Sequence, residues 1–249
     1  MLLELVQLTP LQIVLSVAVI FAAYTVKGLS GFGSGLIAIP LLAFLFPLTF
    51  IVPVLGLLSY GGTLTQSFQL RKQVVWRDML PLIPFSLLGI AIAVWLLVNV
   101  DANSLVRALG VFVLLYSIYS LLPLSVHRGS RRWAIMAGLG GGMVGALFGT
   151  GGPFYVVYLK MRQLPKNQFR ATIAMIFLVD GGTRMTAYAL NGLFTEQVLW
   201  LVLLLLPVLF AGMYVGHHLH IRIEQKRFNQ VISVLLLVSG TMLIIKSSF

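Results

Sequence analysis

An all-α bundle of membrane-spanning helices is the fold class this sequence predicts, and three observations predict it. Of 249 residues, 59% are hydrophobic and 9% charged, with mean hydropathy +1.00. A soluble domain carries about 25% charged residues. Apolar runs recur along the whole chain without the short alternation of barrel strands. Only helices and closed barrels satisfy the backbone in lipid, so these runs are helices. Lastly, two runs are too short to cross a bilayer, and each follows a glycine-rich stretch.

The runs fall at 11–27, 35–46, 50–69, 79–98, 104–123, 133–148, 153–160, 171–190, 198–216 and 229–246. About 20 residues span the hydrocarbon. The 12 residues of 35–46 reach only about 18 Å as a helix, and 153–160 reaches less. The breaks before them read GLSGFGSG at 28–35 and GALFGTGG at 145–152. Each pair therefore predicts a helical hairpin with its tip in or near the membrane interior, which needs cover from protein or a wet cavity. Pro40, Pro47, Pro53, Pro81, Pro84 and Pro207 are expected at helix ends or kinks. No basic stretch precedes the first run, so it is expected to stay as a signal anchor.

Charge placement sets the expected topology. The net charge is +11, and 13 of the 17 basic residues fall in four loops. These are 71–78, 127–132, 160–170 and 217–227. The positive-inside rule puts all four in the cytoplasm. That alternation holds only if each hairpin enters and leaves on one side, so both termini face outward. Residues 1–126 and 127–249 then form two inverted repeats in one membrane domain, each a broken-helix hairpin plus three transmembrane helices.

Internal similarity points the same way. LSYGGTLTQSFQL at 58–70 matches LVDGGTRMTAYAL at 178–190 at five of 13 positions. FGSG at 32–35 matches FGTG at 148–151, and Pro84 and Gly89 match Pro207 and Gly212. Ordered matches of this kind mark a duplication.

Inverted repeats with paired helix breaks place a ligand where the breaks meet. A helix starting inside the membrane exposes unpaired N–H groups and roughly half a positive charge. Glycine lets a ligand approach that backbone. Facing N-termini around Gly31, Gly33, Ser34 and Gly35, and around Gly149, Thr150, Gly151 and Gly152, would hold a small anion. Ser34 and Thr150 add hydroxyl donors, and Pro153 suits the first turn of the second short helix. Close helix packing is the alternative use of these glycines.

Charges at membrane depth are costly and usually functional. Lys27 and Arg184 are candidates to attract the anion. Asp180, one turn before Arg184, is the candidate to hold it or to carry a coupling ion. Snorkelling of Lys27 and a structural i,i+4 pair stand as the other readings. Asp180 aligns with Tyr60 and Arg184 with Leu64, so the pair belongs to one repeat only. Thr63 and Gln66 share a helix face, either lining a cavity or bonding across helices; Gln69 lies nearby. His217, His218 and His220 belong to a basic cytoplasmic loop. With no cysteine, no histidine at depth and a single buried acid expected, neither a metal site, a cofactor nor an enzyme is predicted. No motif or basic stripe suggests nucleic acid.

GLSGFGSGLIAIPLL at 28–42, with GALFGTGGPFYVVYL at 145–159, resembles the paired signature of the sulfite exporter TauE/SafE family. The resemblance extends over about 10–246. Its matching positions are Gly31, Gly33, Gly35, Pro40, Gly149, Gly151, Gly152 and Pro153. Ser34 and Thr150 stand where glycine is common in that family. The resemblance implies a bacterial inner-membrane permease for sulfite, thiosulfate, sulfate or a small organosulfonate, running in either direction. A secondary transporter working by alternating access is the leading expectation, with possible proton or sodium coupling. A passive anion channel of the same architecture is the alternative.

Overall fold

The computed structural model describes residues 9–30, 33–122, 128–219 and 225–246, with the side chains of 30, 62, 64–70, 219 and 225–232 left aside. Its helices, in order, are α1 Pro10–Ser30, α2 Ser34–Leu42, α3 Leu48–Leu70 and α4 Trp76–Met79. They continue with α5 Ile83–Asn99, α6 Ala102–Leu121, α7 Trp133–Phe148 and α8 Gly152–Met161. The last three are α9 Lys166–Leu190, α10 Glu196–Leu219 and α11 Gln225–Lys246. Short 3-10 turns follow α3 and precede α5. No strand occurs among the described residues. The predicted runs all emerge as helices because apolar composition and internal hydrogen bonding leave the backbone no other form in lipid.

Four spans are long and apolar enough to cross a membrane: Pro10–Leu29, Trp76–Asn99, Ala102–Leu121 and Glu196–His218. Their outward faces carry large apolar side chains such as Leu115, Leu204 and Phe210. α2 and α8 have nine and ten residues, about 13 and 15 Å, and cannot cross.

Several expected boundaries move. Pro40, Pro53 and Pro207 lie inside α2, α3 and α10 and so do not end them. α10 continues through His217 and His218, which the sequence placed in a loop. α9 begins at Lys166, so the basic residues Lys166 and Arg170 belong to its first turns. Long basic side chains extend a helix beyond its apolar stretch by carrying their charge outward. Gly31 and His220 lie outside the described residues, as do the side chains of Gln66 and Gln69.

The chain packs as two compact units, each drawing helices from both halves of the sequence. The first comprises Met1–Val54, Val100–Pro123 and Phe194–Phe249. In it α1 lies along α10, and α6 along α11. Glycines set the closeness of both contacts. A methyl on Gly212 would meet Phe21 O at 2.8 Å and Thr25 N at 3.2 Å. Gly110 and Gly240 oppose each other in the same way: a methyl on either would meet the other's carbonyl oxygen at 3.0 or 3.1 Å. α2 is buried along nearly its whole length in this unit.

The second unit comprises Leu55–Asn99 and Leu124–Leu193. Here α7 lies along α5, and α8 and α9 complete the bundle. A methyl on Gly89 would strike Leu139 O and Met143 N, and one on Gly142 would strike the backbone of Ser86. The two units repeat one pairing: a helix that precedes a glycine break packs on a helix carrying one of the aligned glycines, Gly212 or Gly89. The partners correspond in number as well, since Leu139 and Met143 lie 118 positions after Phe21 and Thr25.

Candidate functional site

The break in the second unit is built by backbone geometry. α7 ends at Phe148 on Gly149, whose φ of 63° is left-handed and favours glycine. Thr150 is buried, Gly151 caps α8, and Gly152 and Pro153 form the first turn of that helix. Proline there removes an N–H that has no helical acceptor anyway. No side chain caps this end, so its amide groups stay open.

α9 runs past the break and presents Asp180, Arg184 and Tyr188 at successive turns. Arg184 donates from Nη1 to Gly145 O, and Tyr188 donates from its hydroxyl to Ala146 O. These carbonyls belong to the last turn of α7, which has no donor partners within its own helix. A guanidinium there also meets the negative end of the α7 dipole. Arg184 thus serves first as a cap for the broken helix.

Asp180 is 5% exposed, and its main partners are not those expected from sequence. Oδ1 accepts from Ser86 of α5 at 2.8 Å and from Tyr155 of α8 at 2.6 Å. Oδ2 lies 4.0 Å from Arg184 Nε, at the outer limit of an ion pair and beyond hydrogen-bonding reach. Arg184 Nε is buried and has no acceptor. A methyl on Gly145 would sit 3.5 Å from Asp180 Oδ2 and 3.5 Å from Gly151 N. The bare glycine therefore leaves one small hollow between the Asp180 carboxylate and the α8 cap. A narrow cavity beside the carboxylate is lined by Ser86, Tyr155, Asp180 and Thr183, and extends to Met79.

The first unit holds the other break. Gly33 has φ 94°, and α2 begins at the buried Ser34 and Gly35. Lys27 is 8% exposed at the end of α1, its Nζ 5.7 Å from the Tyr24 ring centre. It does not reach out to solvent, as snorkelling would require. At the other end of this hairpin, Lys246 donates to Phe44 O at 3.0 Å. Thr63, in the second unit, bonds back to Ser59 O of its own helix at 3.1 Å.

Asp180 is not the only buried acid. Asp78 is 3% exposed, and its Oδ1 accepts from Arg131 Nε at 2.8 Å and Arg162 Nε at 3.1 Å. Arg162 also donates to Gly129 O, and Tyr158 to the Asp78 carbonyl. Val75 N donates to Thr172 Oγ1 at 2.9 Å. This network gathers three of the four basic loops at one end of the second unit and ties the outer end of α8 to them. A carboxylate embedded in a basic loop reads as solvated in the sequence; only the three-way junction buries it.

Sequence reasoning missed Ser86 and Tyr155 as partners of Asp180. Tyr155 lies within the GPFYVV stretch and Tyr188 aligns with Phe68, so each carried a faint signal. Ser86 carried none. No group of His, Cys, Asp or Glu among the described residues is arranged to hold a metal ion.

Comparison with known proteins adds two findings. The model of the family described as Sulfite exporter TauE/SafE matches residues 16–243. A "Probable inner membrane transporter protein TsaS" from Comamonas testosteroni is 26% identical over 174 residues, covering 68% of this chain and 72% of that protein. No solved structure matches.

Proposed function

Since this chain belongs to the sulfite exporter TauE/SafE family, we propose that it is a secondary transporter of a small sulfur-containing anion such as sulfite, thiosulfate or an organosulfonate. The observation that carries the reading is the buried Arg184 Nε, without an acceptor, on a side chain that bonds Gly145 in the last turn before the break. A guanidinium and free backbone N–H groups favour an oxyanion, and removal from water strengthens both. In the second unit the anion-binding groups are Gly149, Thr150, Gly151, Gly152 and Arg184. In the first they are Gly31, Gly33, Ser34, Gly35 and Lys27. Asp180 supports Arg184 and the break around it.

The inverted-repeat architecture is part of this reading. The reciprocal pairings of α1 with α10 and α7 with α5 support it, with partners 118 positions apart. The basic loops gathered at one end of the second unit support a cytoplasmic placement of that end. Both termini then lie outside the bacterial inner membrane, and transport follows alternating access.

Flux into proteoliposomes tests the function. Labelled sulfite, thiosulfate and methanesulfonate are compared with protein-free vesicles, with saturation and counterflow as signs of a carrier. Arg184→Gln and Lys27→Gln each lower anion affinity. Absence of flux for all three anions, or unaltered affinity in both charge variants, refutes the reading.

A further inference from the structure

Asp180 and Arg184 stand one turn apart on α9 and approach without closing on each other. Arg184 Nε has a proton and no acceptor, and Asp180 Oδ2 lies 4.0 Å away. Gly145 leaves the space between Oδ2 and the α8 cap unfilled. An anion oxygen accepting from Nε would sit next to Oδ2. Two acceptor oxygens cannot share that space unless one carries a proton. Charge gives the same result. Arg184 balances Asp180 before the anion arrives, and one guanidinium cannot balance both in a low dielectric. A like charge drives a carboxylate towards its protonated form.

We propose that Asp180 takes up one proton as the anion binds and gives it up as the anion leaves, making the protein an anion–proton symporter. This rests on the transporter reading above. The proton adds to Oδ2 from water on the loading side, and the resulting O–H donates to the bound anion. On the other side the anion departs, Oδ2 loses the proton to water, and the carboxylate charge again balances Arg184. No bond other than O–H forms or breaks.

The surroundings leave Asp180 as the group that exchanges the proton. From α5 only the Ser86 hydroxyl faces it, and from α8 only the Tyr155 hydroxyl. α9 itself adds Arg184 and, two turns on, Tyr188. α3 adds the Tyr60 ring, packed over Gly181 and Gly182. α7 presents backbone alone at Gly145. The charged Asp78, Arg131 and Arg162 lie at the loop end beyond Thr172, eight residues and about 12 Å along α9. The cavity from Met79 reaches the carboxylate.

The full chain in liposomes loaded with a pH dye is given labelled thiosulfate or methanesulfonate. Both are anions of strong acids and carry no proton of their own. The expected wild-type ratio is about one proton per anion, and an inward proton gradient accelerates uptake. In Asp180→Asn the ratio falls to zero whatever rate remains, and the rate loses its pH dependence. Tyr155→Phe, a milder change that leaves the carboxylate in place, keeps the ratio. Wild-type anion flux without proton movement overturns the coupling and leaves the transporter reading standing. An Asp180→Asn protein that still moves one proton per anion also overturns it. Failure of every sulfur anion to move overturns the transporter reading and this inference with it.

Discussion

Replacing Asp78 by Asn should loosen the outer end of α8 by an amount the structure allows to be worked out. Asp78 Oδ1 serves two guanidinium groups at 2.8 and 3.1 Å, with its side chain 4% exposed. Arg131 is 39% exposed, so its share is that of a screened surface pair, about 0–1 kcal/mol. Arg162 is 18% exposed and also bonds Gly129 O. Removing one partner of a buried pair costs about 3–5 kcal/mol. Asparagine keeps one acceptor oxygen, so the lower end, about 3 kcal/mol, is expected. For a chain of this size that is roughly 6–12 °C in Tm. Trp76 and Trp133 stand two residues from Asp78 and Arg131, so unfolding followed by intrinsic fluorescence in detergent reports on the junction. Arg162→Gln should cost nearly as much as Asp78→Asn, and Arg131→Gln much less. An Asp78→Asn protein within about 2 °C of wild type would refute the assignment. So would an Arg131→Gln loss equal to that of Arg162→Gln.

Further expectations concern the glycines and one cap. Gly33 has φ 94° with nothing within 4 Å of an added Cβ. Its replacement by Ala should cost only the conformational penalty, about 1–2 kcal/mol, and Asn should cost less than Ala in the same melts. Gly142→Ala pushes a methyl into the Ser86 backbone and should destabilise by about 1–3 kcal/mol, whereas Gly61→Ala meets open space and should stabilise by up to about 1 kcal/mol. Equal effects at the two positions would show that α5 and α7 are not in close contact. Asp101 caps α6 by accepting from Ser104 N at 2.8 Å, and this bond holds its carboxyl below the usual carboxylate range. Its contribution is complete above the ordinary value of about 3.9 and is lost as pH falls through the lowered folded value. Amide exchange at Ser104 should therefore show no change in protection between pH 5 and 8 from this cap, and loss of protection in stronger acid.

The helices, the two runs too short to span and the glycine breaks before them could all be read from the residues alone. These features are local. Apolar length fixes a helix in lipid, and a left-handed position such as Gly33 or Gly149 needs its glycine whatever lies around it. The charge at Asp180 was legible as costly, but its partners were not, since i,i+4 spacing pointed to Arg184 whereas Ser86 and Tyr155 hold it. Asp78 looked like a loop residue until α4, α8 and the start of α7 met around it. Only the tertiary structure decided that α1 lies on α10 and α7 on α5. Such pairings depend on the register between residues about 50 to 190 positions apart, and on glycines whose value lies in the backbone they allow to approach.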